Sequence, residues 1–485
     1  MRIALVMPAS RRWGWHEQLE QALAAEGEVT TFLVRSEPYP QAIRHLLAVE
    51  QKLFGTRPQA IRLPPAEPTG APAIDPSAYD VVLDLAGAAP TSPHRLAFTY
   101  DGEADEAFLW GSLLRGRPPV LAVLSGAAPR PLAWSYAAPD DAEVLSRAAA
   151  TVFSRLIALA VRAVRRHGRP VLLDQGPPPD RQAVRWSARA VLRFAARQAA
   201  IKVARNVRKP FVRERHWSVA LRRTLPPTEG GEPQAGAFTV IRRPTATYYA
   251  DPFLFSHQGR VWLLVEGFPY RTGVGLLAAA EIDAETGKAG EFETIIERPY
   301  HLSYPQVFAH GEAIYMLPET GKEGRLKLFR AVDFPRSWTE DRVLMDVSIA
   351  DATLFEHGGR WWLLGTIALF GGSTRDELFA FHAPSPFGPW TEHAANPIKS
   401  DARSARPAGR VIEREGRLLR PTQDCEGGYG AGISWCEILE LTPDSFRERV
   451  ISHWQGGDFG RFTGVHTYNA AGGFEVIDLK SDVRR

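Results

Sequence analysis

Cysteine is scarce in this chain, with two residues in 485, and methionine is little commoner, with four. Cys425 and Cys436 are too few for a disulfide framework and read as reduced, buried thiols of a cytoplasmic protein, with a cross-strand bridge between them as the alternative. Long apolar runs are missing as well. The start, MRIALVMPASRRWGW, has only a short apolar run before two arginines, whereas a signal peptide needs about 7 to 15 apolar residues and a small-residue cleavage site. The expectation is a chain that is not exported. The nearest approach to a membrane span, LIALAVRAV at 156–164, is interrupted by Arg162 and falls well short of about 18 apolar residues. Also absent is the G-x-G-x-x-G fingerprint: the first strand pattern runs into Pro8, Ala9 and Ser10, which disfavours a dinucleotide site. Histidines and carboxylates do not recur at metal-ligand spacing, so neither a metal nor a bound cofactor is expected.

The charge that is present is unevenly spread. The formal net charge is +3, yet residues 181–223 hold thirteen Lys and Arg against one acid, Glu214, a local charge of 13 − 1 = +12 that leaves 3 − 12 = −9 for the rest. Arg181, Arg185, Arg189, Arg193 and Arg197 recur every fourth residue in a long helix pattern that Pro210 closes. Two readings stay open: a solvated face on an interdomain helix, or a contact with an anionic partner such as a phospholipid surface or a diphosphate-bearing substrate. The second would make the protein peripheral at the inner membrane face. No aromatic platform or recognised module accompanies the charge, so nucleic acid is not expected as a partner.

Length favours two domains. RIALVMP, RWGWHEQLEQALAAEG and EVTTFLV read as strand, helix and strand, with further strands at 79–87 and 118–126 and helices at 105–115 and 141–166. Residues 1–175 are therefore predicted to form a mainly parallel α/β domain. Residues 176–237 are expected to be a basic helical connector and linker, ending in LPPTEGGEPQAG at 225–236.

The second half repeats. ADPFLFSHQGRVWLLVE from 250, SYPQVFAHGEAIYMLPE from 303, ADATLFEHGGRWWLLGT from 350, RPAGRVIEREGRLLRPTQD from 406 and a weaker HTYNAAGGFEVIDLK from 466 each read as strand, glycine turn, strand. Their anchors Phe255, Phe308, Phe355, Ile412 and Asn469 are spaced by 53, 47, 57 and 57 positions. That period predicts the blades of a five-bladed β-propeller over residues 238–485. Tryptophans 262, 361, 362, 390, 435 and 454 suit packing between blades.

In a propeller the entry of each innermost strand points to the axis, and the residues there are Asp251, Tyr304, Asp351, Arg406 and His466. Polar residues converging from five stretches predict a pocket. Asp251, Asp351 and Glu319 supply the carboxylates that acid–base work on an acetal requires: one accepts a proton, one donates and one tunes the others. The competing role for the aspartates is hydrogen bonding to the backbone of a neighbouring blade. Glu266 lies eleven residues after Phe255, as Glu319 does after Phe308. Arg406 and Arg420, with Asp424, are candidates to hold a carboxylate or phosphate, or to form structural ion pairs. His301, Tyr304 and His466 are candidates for sugar contacts.

ADPFLF, HLSYPQVF, YMLPET, DATLFEHGGRWWL, GPWTEHAANP, RPAG, RPTQD and HTYN together resemble the propeller domain found at the N-terminal end of plant glucosamine inositolphosphorylceramide transferases, and in bacterial proteins beside a formyltransferase-like domain. That domain is similar to the five-bladed propellers of furanosidase- and arabinanase-type glycoside hydrolases. Residues 95–166 resemble the formyltransferase-like domain in a degenerate form, with Thr99 and Tyr100 standing where its histidine is expected.

The resemblance implies a carbohydrate-active enzyme of cell-surface glycan or glycolipid biosynthesis, acting at a glycosidic or sugar-phosphate bond in the funnel. Its substrate would be a glycan, sugar nucleotide or glycolipid. The hydrolases carry Asp, Asp and Glu on the inner strands of their first three blades, against Asp251, Tyr304 and Asp351 here, which favours transfer over hydrolysis. Asp251 is then the base, Glu319 the acid and Asp351 the tuning carboxylate. In the plant proteins the transfer is attributed to a separate C-terminal domain that no stretch here matches, so the alternative is a non-catalytic glycan-binding module that partners a transferase.

Overall fold

The computed structural model describes residues 1–54, 74–126, 131–138, 140–167, 173–174, 176–226, 231–241 and 246–484. They fall into two compact units, one chiefly of residues up to Asn206 and the other chiefly of residues from Val207 onward. The boundary expected at residue 175, and residues 227–230 of the expected linker, lie outside the described residues.

The first unit is α/β. Strands β1 (Arg2–Pro8), β2 (Glu28–Val34), β3 (Val81–Asp84), β4 (Arg95–Tyr100), β5 (Val120–Ser125) and β6 (Ala133–Tyr136) form one sheet in the order β2-β1-β3-β4-β5-β6. The half around β1 is parallel, as expected, whereas β5 and β6 return antiparallel. Helices Gly14–Ala24, Ala107–Leu113 and Leu145–Arg166 match the sequence expectation, and helix Gln41–Phe54 adds to it. Glu50 of that helix is buried and accepts hydrogen bonds from the backbone N–H groups of Leu145 and Ser146, both at 2.8 Å. Its carboxylate thereby satisfies two of the free donors at the N-terminus of helix Leu145–Arg166.

The basic helix is shorter than its sequence pattern. It spans Ala188–Arg208, so Arg181 and Arg185 precede it. They turn to Tyr136 and Asp105 respectively.

The second unit is a ring of five sheets. Blade one runs Thr247–His257, Arg260–Pro269, Leu276–Ile282, Glu293–Ile296; blade two Ser303–His310, Ala313–Glu319, Leu326–Asp333, Ser337–Met345. Blade three begins Ala350–His357, Arg360–Thr366, Glu377–Ala383, and blade four Ile412–Arg414, Arg417–Asp424, Gly432–Leu441, Phe446–Gln455. Blade five joins Gly464–Ala471 and Phe474–Arg484 to Val212–Arg223 and Thr239–Val240. The ring therefore takes up chain from residue 212, not 238 as expected. Two C-terminal strands cannot bury a sheet alone, and the HWSVAL stretch completes it by pairing antiparallel with the last strand, Ala220 opposite Ile477.

The repeat governs the register. Each anchor pairs with the residue seven positions later: Phe255 with Trp262, Phe308 with Tyr315, Phe355 with Trp362, Ile412 with Leu419 and Asn469 with Val476. The hairpin turns explain this constancy. Gln258-Gly259, Gly358-Gly359, Glu415-Gly416 and Gly472-Gly473 all carry positive φ at both central positions, the two-residue turn whose twist matches that of paired strands.

Candidate active site in the funnel

Inner strands one, two, three and five break register at a bulge, between Ala250 and Phe253, Ser303 and Gln306, Ala350 and Thr353, and Val465 and Tyr468. Asp251, Tyr304 and Asp351 are the first bulged residues of their strands, and their φ values are +48°, +50° and +50°. Each such left-handed conformation in a side-chain-bearing residue costs about 1–2 kcal/mol. Strain repeated at one level of the ring is a mark of a site.

Asp251 is buried. Its Oδ1 accepts the Thr467 hydroxyl at 2.9 Å and stands 3.3 Å from His466 Nε2. The other side of that imidazole, Nδ1, lies 2.7 Å from Asp478 Oδ2. Asp478 is itself fixed by the backbone N–H groups of Asp251, His466 and Thr467 at 2.9, 3.1 and 2.9 Å. Trp217, from the strand that closes the ring, stacks on His466 with ring centroids 3.9 Å apart. Burial opposes charge on His466, but Asp478 and Asp251 outweigh it and raise its pKa. Burial likewise raises Asp251; His466 opposes this, Asp351 and Asp478 reinforce it, and the result is a pKa of about 6.

A second group lies around Asp351. Its Oδ2 accepts Arg406 Nε at 2.5 Å and Gln423 Nε2 at 2.6 Å. The Asp351 backbone N–H donates to Glu319 Oε2 at 3.0 Å, and Arg406 Nη2 is 3.6 Å from the same oxygen. Burial and the Asp351 charge push Glu319 up to about 8, against the pull of Arg406. Arg406 also donates to Thr374 Oγ1 at 3.2 Å and lies over the ring of Tyr429.

Glu266 and Glu319 occupy equivalent places opposite the bulges, paired with Ala250 and Ser303. Burial, then the charges of Asp251 and Glu319, raise Glu266 well above the ordinary carboxyl range. Its Oε1 makes no hydrogen bond among the described residues and sits 3.5 Å from His301 Nε2. His301 Nδ1 accepts the Gly275 N–H at 3.0 Å, so in the neutral ring the proton is on Nε2, facing Glu266. The Tyr304 hydroxyl is tied to Thr353 Oγ1 at 2.8 Å and to the Gly409 N–H at 2.7 Å. It locks blades two, three and four together and is fully buried, which removes it from sugar contact.

Two further candidates do not join the group. Arg420 donates to both oxygens of Glu448, at 2.7 and 2.9 Å, and to the carbonyls of Ser404 and Ala405 at 2.8 and 3.1 Å. Lys399 reaches Glu448 at 2.5 Å. With these donors engaged, Arg420 is not placed to hold a substrate anion. Asp424 pairs with neither arginine; it accepts the Glu426 N–H at 2.9 Å, and burial raises it to about 6.

Sequence reasoning missed Asp478, Thr467, Gln423 and Trp217. Asp478 carried a readable signal, a second acid set between the apolar residues Ile477 and Leu479 of the strand FEVIDL. Trp217 was hidden in the basic stretch. Asp251, His466 and Asp478 have ligand atoms within 4.8 Å of one another, but their oxygens already accept backbone and hydroxyl donors around an imidazole that favours its proton, a poor fit for a metal.

Among curated proteins, this chain is 37% identical over 230 residues to glucosamine inositolphosphorylceramide transferase 1 of Oryza sativa subsp. japonica, covering 47% of this chain and 29% of that protein. It is 34% identical over 209 residues to the Arabidopsis thaliana protein of the same name, covering 42% and 27%. The matched part is thus under a third of those relatives' length. Among solved structures, Cellvibrio cellulosa α-L-arabinanase complexed with arabinohexaose matches at 14% identity and TM-score 0.34, over 44% of this chain and 85% of that one. A GH43_1 enzyme from Xanthomonas citri matches at 10% and 0.37, over 50% and 88%. The family described as "Glucosamine inositolphosphorylceramide transferase 1, N-terminal" matches residues 237–458, and the resemblance carried by the motifs of the second half is borne out over that stretch.

Proposed function

We propose that the funnel end of the propeller is a carbohydrate-active site performing glycosyl transfer in the synthesis of a surface glycan or glycolipid. The observation that carries this reading is the convergence of two buried carboxyls in different surroundings, Asp251 beside His466 and Thr467 and Glu319 beside Arg406 and the Asp351 backbone, which hold them at about 6 and about 8. Near pH 7 one is ready to accept a proton and the other to donate one. Asp251 takes the proton of the attacking hydroxyl, and Glu319 protonates the leaving glycosidic or sugar-phosphate oxygen. Asp351 raises both pKa values and orients Arg406, which in turn keeps Glu319 in place. Glu266, with its unpaired buried oxygen, and His301 bind a sugar hydroxyl. The name of the curated relatives supports an amino sugar as the transferred group and a lipid bearing an inositol phosphate as acceptor.

Asp251→Asn tests the assignment. With nucleotide-sugar donors and an inositol-phosphate lipid acceptor, turnover is expected to fall by about 10²–10⁴-fold with unchanged circular dichroism; full retained turnover refutes the role. A second reading, a binding module that grips a glycan without chemistry, is favoured by the engagement of Asp351 Oδ2 with Arg406 and Gln423. Glycan binding without product from any donor, unaffected by Asp251→Asn, would establish it.

A further inference from the structure

Helix Ala188–Arg208 buries only Val191 and Phe194. Those two, with Gln198 donating to Glu50 at 2.6 Å, define its packed face. On a wheel of about 100° per residue, Leu192, Ala196, Ala199, Val203 and Val207 fall within an arc of about 80° on the far side. Leu192, Val203 and Val207 are 71%, 63% and 64% exposed, and Phe211 just beyond the helix is 71% exposed. Aliphatic side chains lined up on an outward face are unusual where a merely solvated helix is concerned.

The flanks carry charge of one sign. Residues 188–211 contain seven Lys and Arg and no acid. Arg205 is engaged with Glu143 at 3.1 Å. Arg189, Arg193, Arg197 and Lys209 are exposed and make no ion pair within the described residues. An apolar stripe bordered by unpaired cations complements a surface that offers hydrocarbon beneath an anionic layer. We propose that this helix docks the protein on anionic phospholipid membranes, lying in the interface with Leu192, Val203 and Val207 inserted and the arginines on the headgroups. The surface is independent of the funnel and of the reaction assigned to it.

Sedimentation of the full chain with vesicles tests this. The protein is expected to pellet with phosphatidylcholine vesicles containing about a third phosphatidylserine, to do so weakly with phosphatidylcholine alone, and to be released by salt. Leu192→Ser/Val203→Ser/Val207→Ser leaves every charge in place and is expected to weaken binding at least about tenfold; Arg189→Glu/Arg193→Glu is expected to weaken it similarly. Circular dichroism and the melting temperature of each variant check folding. No binding to the anionic vesicles, or binding that survives the serine triple variant, overturns the proposal. So does concentration-dependent self-association in analytical ultracentrifugation that the triple variant abolishes, since a second copy of the chain would then cover the stripe.

Discussion

Two buried ionic clusters lie in the propeller, and they differ in charge balance. Around Glu448 one carboxylate faces two cations, Arg420 and Lys399. Burial works against the Glu448 charge, but the two cations prevail and hold its pKa at about 2. In the funnel, Asp251 and Asp478 share His466, Glu319 and Asp351 share Arg406, and Glu266 faces His301, whose pKa burial lowers. Acids outnumber cations there, and three of them are pushed up instead. A cluster in which cations outnumber the carboxylate keeps it ionised and is finished as structure. One with an excess of like charge keeps protons at neutral pH and has them to exchange.

The contrast gives different responses to mutation. Arg420→Met strands Glu448 with a single partner, and a loss of about 3–5 kcal/mol is expected, measured by urea unfolding; a loss below about 1 kcal/mol would contradict the account of that cluster. Activity has the opposite sensitivity. A bell-shaped pH dependence of turnover is expected, rising through about pH 6 as Asp251 loses its proton and falling through about pH 8 as Glu319 loses its own.

Stability follows pH with opposite sign in the two places. Glu448 is depressed, so its contribution is present above pH 4.5 and is lost as pH falls through about 2. Glu319 is raised, so the folded state binds more protons than the unfolded state between pH 4.5 and about 8, and stability declines as pH rises across that window. Glu319→Gln is expected to remove about 1 kcal/mol or more of that decline, visible in denaturation midpoints compared at pH 5 and pH 8.

The propeller was legible because its signal is local. Phe255 and Trp262, or Phe355 and Trp362, are seven residues apart and share one turn geometry, so the repeat appears in sequence as it does in space. The same alignment put Asp251, Asp351, Glu319, Arg406 and His466 at one end of the ring. What depended on distant partners was not readable. The closing strand Val212–Arg223 pairs with residues some 260 positions away, and its arginines concealed Trp217. Arg420 looked like the equal of Arg406 in RPAG and RPTQD, and Glu448, in the strand Phe446–Gln455 of the same blade, separates a scaffold arginine from one in the funnel. In the first unit, the antiparallel return of β5 and β6 depends on contacts across the sheet that no local pattern encodes.

Protonation of the funnel glutamates is the claim on which the chemistry rests. Infrared spectra of protein carrying isotopically labelled glutamate would read it directly, through the C=O stretch of protonated carboxyls as pH is raised. The account predicts a protonated signal at pH 7 that titrates near pH 8 and is missing from Glu319→Gln, beside a second that titrates well above the ordinary carboxyl range and is missing from Glu266→Gln. Complete ionisation of every glutamate by pH 6 would contradict it.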